Sequence, residues 1–369
     1  MGGNENLKNY NLPKGVFEVL ASLPEEVDTN QLPSRDNIES FRSSWSECAL
    51  PKNAGPLAKQ VNIKDYESFQ LNNNPVPIRI FEPEAANSKI KKPVILCTSG
   101  GGFVANYLST NQTPWSKLAL ETNCPVITYN YTPAPEGNFD GINKPKGIQE
   151  AESIIKWLVD NSNLLGFNNN EIFLVGDSSG ANFSIYQAIF MHEMSIPAKK
   201  LTLISPAVDI SRCFSEISSV ELEQIKEAES IDKLLSDEMV KACYNLYSPD
   251  PSKRQDPRIS PLYIPDLSDK LPITTIIVAS CDRLKRDSVA LHHKLIDSEL
   301  YILPGTHAFL TVRALFGEEP GPDPAILASA DIADFLHNSV TEHSRVSLDR
   351  YESYKHSDPL ISSTTLRFK

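Results

Sequence analysis

Glu171-Ile172-Phe173-Leu174-Val175, then Gly176-Asp177-Ser178-Ser179-Gly180, then Ala181-Asn182-Phe183-Ser184-Ile185-Tyr186-Gln187-Ala188: this stretch decides how the chain is read. Residues 171–175 form an apolar run of strand length, and residues 181–188 read as the start of a helix. The five residues between them fit G-x-S-x-G. Strand, tight turn and helix is the setting in which that pattern becomes a nucleophile elbow. The elbow strains the backbone at the serine, and a side chain at either flanking glycine would clash with strand or helix. Ser178 is therefore the candidate nucleophile, its exposed hydroxyl open to activation by a base. The competing reading is a structural Gly/Ser turn.

Further strands are expected at Pro93–Cys97, Pro125–Tyr129, Leu201–Ser205, Thr274–Ala279 and Leu300–Leu303. Their continuous apolar runs suit strands buried on both faces. Val76–Phe81 alternates in the manner of an edge strand. Between them, Gly147–Leu158 places Ile148, Ala151, Ile155 and Leu158 on one helical face. Strands alternating with helices predict an α/β fold with a mostly parallel sheet covered on both faces. Residues 1–75 are polar with helical pieces, one starting at Asp36 with Glu39 three residues later. Residues 212–248 are charged and helical in pattern and interrupt the alternation. These two segments are expected to form a helical cap over the strand ends. The catalytic domain is expected to span 76–340, and 341–369, rich in Ser, charge and Tyr, to be a flexible tail.

A nucleophilic serine needs a base, and the base an orienting acid. Of the seven histidines, His307 follows the last strand, in Pro304-Gly305-Thr306-His307, where a loop can swing over the strand ends. His292 and His293 sit within a helix pattern, His337, His343 and His356 lie near the tail, and His192 is on an exposed helix position. Asp282 ends the strand that runs through Ala279, and the carboxyl ends of parallel strands are where open α/β sheets place functional groups. Asp287 is the runner-up acid, and Asp177 is expected to be structural. The order Ser178, Asp282, His307 is that of α/β-hydrolases. Ser99-Gly100-Gly101-Gly102-Phe103 follows a buried strand, and its glycines let backbone N–H groups turn toward a carbonyl oxygen. A phosphate-binding loop is the rival reading. No Lys-Ser/Thr follows and G-x-G-x-x-G is not matched, so it is set aside.

The ordered set of these motifs resembles the hormone-sensitive-lipase-like branch of the α/β-hydrolases. The resemblance runs from about residue 35 to about 338 and rests on Gly100–Phe103, Tyr131 with Ala134-Pro135-Glu136, Leu165-Gly166-Phe167, Gly176–Asn182, Ser260-Pro261-Leu262, Asp282-Arg283-Leu284 and Gly305–Phe309. It implies an α/β-hydrolase fold with a helical cap and hydrolysis of short to medium acyl esters without a cofactor. It also implies that Gly101, Gly102 and Ser179 donate to the oxyanion. Two positions depart from the pattern. Ser99 stands where the family's loop begins with His, and Asn130 and Thr132 replace a charged Asp and Arg. Their joint loss suggests that a structural ion pair is replaced by neutral groups.

The bulk properties bound the partners. The net charge is −12 over 369 residues, which argues against nucleic acid and anionic membrane surfaces. Six scattered cysteines without a C-x-x-C pair read as reduced thiols, with no disulfide framework and no metal cluster. The first residues lack an apolar signal core, Asn6 breaks a myristoylation signal, and no apolar run is long enough to span a bilayer. Sequons at Asn111, Asn130 and Asn182 are read as chance matches. A cytoplasmic carboxylesterase acting on a small-molecule ester is expected, with a homo-oligomer left open. The alternatives are a non-catalytic, receptor-like binder and an acyltransferase, which differs only in the nucleophile that meets the acyl-enzyme.

Overall fold

In a computed structural model, the described residues are 32–49, 61–71, 74–83, 91–212, 219, 235–303 and 305–307. Eight strands form one sheet in the order β1-β2-β4-β3-β5-β6-β7-β8. They are β1 (Val61–Leu71), β2 (Asn74–Pro83), β3 (Lys92–Thr98), β4 (Val126–Tyr129), β5 (Phe167–Asp177), β6 (Ala198–Ile204), β7 (Thr274–Ala279) and β8 (Ser298–Leu303). The six strands from β4 to β8 in this order run parallel, whereas β2 pairs antiparallel with both β1 and β4.

The continuous apolar runs have the cause the sequence suggested. Along β3, Val94 and Leu96 join one buried cluster while Ile95 and Cys97 join a second. Along β5, Ile172 and Leu174 divide from Phe173 and Val175 in the same way. Successive side chains point to opposite faces, so two clusters on alternating residues mean that both faces are covered.

The edge strand is a correction. Val76–Phe81 lies inside β2, one strand in, and the edge is β1, within the segment expected to be helical cap. The alternation in β1 breaks between Ile63 and Tyr66. Ile63 packs on the cluster around Trp115, and Tyr66 packs on the other, 6.2 Å from the Trp157 ring. Apolar residues on both faces of one strand blur the period of two.

Helices α1 (Ile38–Ala49), α2 (Gln112–Thr122), α3 (Lys146–Leu165), α4 (Ser179–Glu193), α5 (Asp237–Tyr247) and α6 (Lys285–Lys294) accompany the sheet. Helix α3 extends past the expected Leu158 to Leu165 and stops at Gly166. That glycine has φ 75° and donates its N–H to Ser162 O, the left-handed end for which Gly is favoured. Helix α4 is buried at every position from Ser179 to Ile189, and its buried polar side chains are hydrogen-bonded, Asn182 to Ala207 O, Ser184 to Val175 O and Gln187 to Ala151 O. Of the expected cap, α1 and α5 are described. Residues 1–31, most of the insertion between 213 and 234, and the expected tail at 341–369 lie outside the described residues.

The strand order fixes the place of the site. From β3 the chain moves to β4 on one side, then returns to β5 on the other. That reversal opens a crevice between the carboxyl ends of β3 and β5. Thr98 and Gly176 are register partners there, so the loop after β3 and the turn after β5 emerge side by side.

Candidate active site

Ser178 occupies the turn between β5 and α4 with φ 54° and ψ −124°. A non-glycine residue in this region is strained and persists only where its surroundings over-determine it. Ser178 N–H donates to Ile204 O on β6, and Ser178 O accepts from the N–H groups of Ala181 and Ala207. The flanking glycines are required by contact. A Cβ on Gly176 would lie 2.5 Å from Ser184 Oγ and 2.6 Å from Ala181 Cα.

Three residues far apart in sequence meet at this turn. His307 Nε2 lies 3.1 Å from Ser178 Oγ, and His307 Nδ1 lies 2.9 Å from Asp282 Oδ1. Asp282 is fully buried. Its carboxylate also accepts the Leu284 N–H on Oδ1 and the Ser205 hydroxyl on Oδ2. Burial alone would raise its pKa. The charge and hydrogen bond of His307, with the bonds from Ser205 and Leu284, outweigh burial and hold the group below the ordinary carboxylate range. An ionised acid so placed selects the tautomer in which His307 carries its proton on Nδ1 and leaves Nε2 free to accept from Ser178.

The glycine loop after β3 stands over the serine. A Cβ on Gly100 would lie 2.7 Å from Ser178 Cβ, and Gly102 has φ 61°. Gly101 O accepts from the N–H groups of Val104 and Ala105, which closes the loop on itself. Among the described residues, the N–H groups of Gly101, Gly102 and Ser179 donate to no protein acceptor. Both described pieces of the expected cap touch this loop. From α1, Arg42 donates through Nε to Val104 O and through Nη2 to Ala134 O. From α5, Cys243 Sγ would be 2.9 Å from a Cβ on Gly102, and the Tyr247 ring stacks on Phe103 at 4.1 Å.

The remaining candidates separate from this cluster. Asp287 lies on α6 and receives the N–H groups of Val208 and Asp209. His292 Nδ1 pairs with Ser298 Oγ at 2.8 Å, and His192 and His293 are exposed. His337, His343 and His356 lie outside the described residues. Asn111 and Asn182 are buried, and Asn182 Nδ2 donates to Ala207 O and Ile259 O, so neither sequon offers an accessible amide. Thr132, in place of the family's Arg, binds Glu150 through its N–H and hydroxyl. Cys97, Cys124, Cys243 and Cys281 are buried. One residue of the site, Ser205, was not anticipated; its one signal is a polar residue ending an apolar strand. Asp177, expected to be structural, holds Gly100 N–H and Asn111 Nδ2, partners that depend on strand order.

The buried carboxyl of Asp287 makes a pH prediction. Burial pushes it up to about 7, against the lowering effects of the Arg212 charge and two backbone N–H groups. A folded pKa above the unfolded one means that folding takes up a proton between the two values. The group's contribution to stability is full below the unfolded carboxylate range and is lost as pH rises to about 7. Asp287→Asn keeps an oxygen for the Val208 and Asp209 N–H groups and removes the buried charge. Its stability relative to wild type should therefore rise between pH 4 and 7, by about 3 kcal/mol, and level off above. Urea unfolding of both proteins at pH 5 and pH 8 measures this, and an equal difference at the two pH values would refute it.

The chain was compared with known proteins. Residues 95–301 match a family model described as alpha/beta hydrolase fold. An ethyl acetate hydrolase of Pseudomonas putida is 26% identical over 273 residues, covering 72% of this chain and 81% of that protein. Hormone-sensitive lipase of Ictidomys tridecemlineatus is 26% identical over 171 residues, covering 40% of this chain and 22% of the lipase. An esterase structure from Pyrobaculum calidifontis superposes with a TM-score of 0.71 at 21% identity, covering 88% of this chain and 99% of that one. At that identity the superposition speaks to the fold. No helix among the described residues is long and apolar enough to cross a membrane.

Proposed function

The chain belongs to the alpha/beta hydrolase fold family, and from that premise we propose that it hydrolyses carboxylic esters of short to medium acyl chain through an acyl-enzyme on Ser178. The observation that carries this reading is the hydrogen-bonded line from Ser178 Oγ through His307 to the buried Asp282, beside a glycine loop whose Gly101 and Gly102 N–H groups donate to no acceptor among the described residues. Relatives named as esterases support ester substrates, and the name ethyl acetate hydrolase supports small ones.

His307, oriented by Asp282, takes the Ser178 proton as Oγ attacks the ester carbonyl carbon. The carbonyl oxygen becomes an oxyanion and accepts from the N–H groups of Gly101, Gly102 and Ser179. The tetrahedral intermediate collapses, the C–O bond to the alcohol breaks, and His307 returns its proton to the departing alkoxide. Water then enters and gives its proton to His307. The water oxygen attacks the acyl carbon, the bond from that carbon to Ser178 Oγ breaks, and His307 returns the proton to Oγ, releasing the carboxylic acid and the free serine. Ser178 plays nucleophile, His307 base and then acid, and Asp282 the orienting charge.

Labelling with a fluorophosphonate tests the reading, because the probe needs both an activated serine and oxyanion donors. Wild type should label and Ser178→Ala should not. A p-nitrophenyl ester series then reads acyl length, with the fastest turnover expected at short to medium chains. A folded wild type that neither labels nor turns over any ester would overturn the proposal in favour of a binding role.

A further inference from the structure

Three consecutive glycines restrict their own backbone weakly, so beyond the bonds from Val104 and Ala105 to Gly101 O the loop that faces Ser178 depends on outside contacts. The described structure shows what holds its start. Ser99 is buried, and its hydroxyl is used in both directions. It accepts from the indole Nε1–H of Trp115 at 3.0 Å and donates to the backbone oxygen of Thr110 at 3.3 Å. Trp115 is fully buried on α2, and a buried indole N–H needs an acceptor. A hydroxyl, with one donor and two lone pairs, can serve both bonds at once. The next residue is tied to the same helix start by a second route. Gly100 N–H donates to Asp177 Oδ1 at 3.1 Å, and Asn111 Nδ2 donates to the same oxygen at 2.7 Å. Thr110 and Asn111 enter α2, and Asn111 takes a left-handed conformation there.

We propose that Ser99 and Trp115 are positioning residues for ester hydrolysis: their hydrogen bond, with the bond from Ser99 to Thr110, anchors the glycine loop on α2 so that the N–H groups of Gly101 and Gly102 point where the oxyanion forms. This rests on the esterase reading above. The loop has little slack with which to absorb a lost anchor, because it passes so near the nucleophile that a Cβ on Gly100 would lie 2.7 Å from Ser178 Cβ. A displaced loop still admits the ground-state ester and is misaligned chiefly for the oxyanion. The penalty therefore falls on kcat more than on KM.

The test uses the full chain with p-nitrophenyl acetate and a trifluoromethyl ketone that mimics the tetrahedral intermediate. Ser99→Ala should lower kcat about 10- to 100-fold with KM changed by less than about threefold, and should raise the ketone Ki in parallel with the loss in kcat/KM. Ser99→Thr keeps the hydroxyl and should recover most of the rate. Trp115→Phe removes the same bond from the other side and provides the reading if Ser99→Ala fails to fold. Because both singles remove the Trp115–Ser99 bond and Ser99→Ala also removes the bond to Thr110, the double variant should lose little more than Ser99→Ala alone. The Trp115 indole proton, assigned by its absence in Trp115→Phe, should move upfield in NMR spectra of Ser99→Ala. An active wild type with a folded Ser99→Ala of unchanged kcat and ketone Ki overturns the anchor alone. An inert wild type overturns the ester reading and the anchor with it, so the two failures are told apart by the wild type.

Discussion

Ser178→Ala is expected to lower kcat by about a million-fold and Asp282→Asn by about ten-thousand-fold, with both variants folded. The grading follows from what each group does. Without Ser178 Oγ no acyl-enzyme can form, and only the binding site and the oxyanion donors remain to assist water. Asp282 never meets the substrate. It holds His307 Nδ1 at 2.9 Å, and an amide there can present its NH2 to that nitrogen and leave Nε2 protonated. The base is then in the wrong tautomer for Ser178. The Leu284 N–H donates to Oδ1, the oxygen that also faces His307, and the Ser205 hydroxyl donates to Oδ2. Whichever way its amide turns, Asn removes the negative charge, so the imidazolium that forms on His307 loses its stabilising partner. Steady-state turnover of a p-nitrophenyl ester, with circular dichroism to confirm folding, measures both variants. If Asp282→Asn retained more than about a tenth of wild-type kcat, Asp282 would not be the orienting acid.

The elbow was legible in the chain because everything it needs is local. The strand through Val175, the glycines at 176 and 180, and the helix from Ala181 lie within twenty residues. Asp282 and His307 were legible for a different reason: each closes a recognisable strand, and strand ends in a parallel sheet share one edge. What escaped depends on which strands are neighbours. Ser205 reaches Asp282 because β6 lies beside β7, and Asp177 reaches Gly100 because β5 lies beside β3. Alternation of strands and helices gives the parallel sheet without giving that order. Trp115 was not singled out in the sequence, and the packing of α2 against the loop is what brings its indole N–H to Ser99. The edge strand β1 escaped because its apolar residues serve both faces. The resemblance to the hormone-sensitive-lipase-like branch implied which N–H groups, those of Gly101, Gly102 and Ser179, would donate to the oxyanion.

Gly180→Ala should cost about 3 kcal/mol in stability and lower kcat about 100-fold in whatever protein folds. Gly180 is the second residue of α4, and an added Cβ would lie 2.1 Å from Thr98 O and 2.7 Å from Ser99 C. Both are backbone atoms at the end of β3, so no side-chain rotation relieves the contact. Either α4 moves away from the sheet or the end of β3 moves away from α4. The first shifts Ser178 and the Ser179 N–H, and the second shifts the loop that begins at Ser99. Each separates the nucleophile from the oxyanion donors by a fraction of an ångström to an ångström, and a misplacement of about 1 Å can cost 100-fold in rate. Gly166→Ala is the matched control. Gly166 has φ 75° and nothing within 4 Å of its added Cβ, so the change costs only the left-handed backbone strain of about 1–2 kcal/mol and should leave kcat alone. Urea denaturation and steady-state kinetics on the pair separate contact from conformation. If Gly180→Ala matched Gly166→Ala in both stability and kcat, close packing of α4 on β3 would not be what aligns the site.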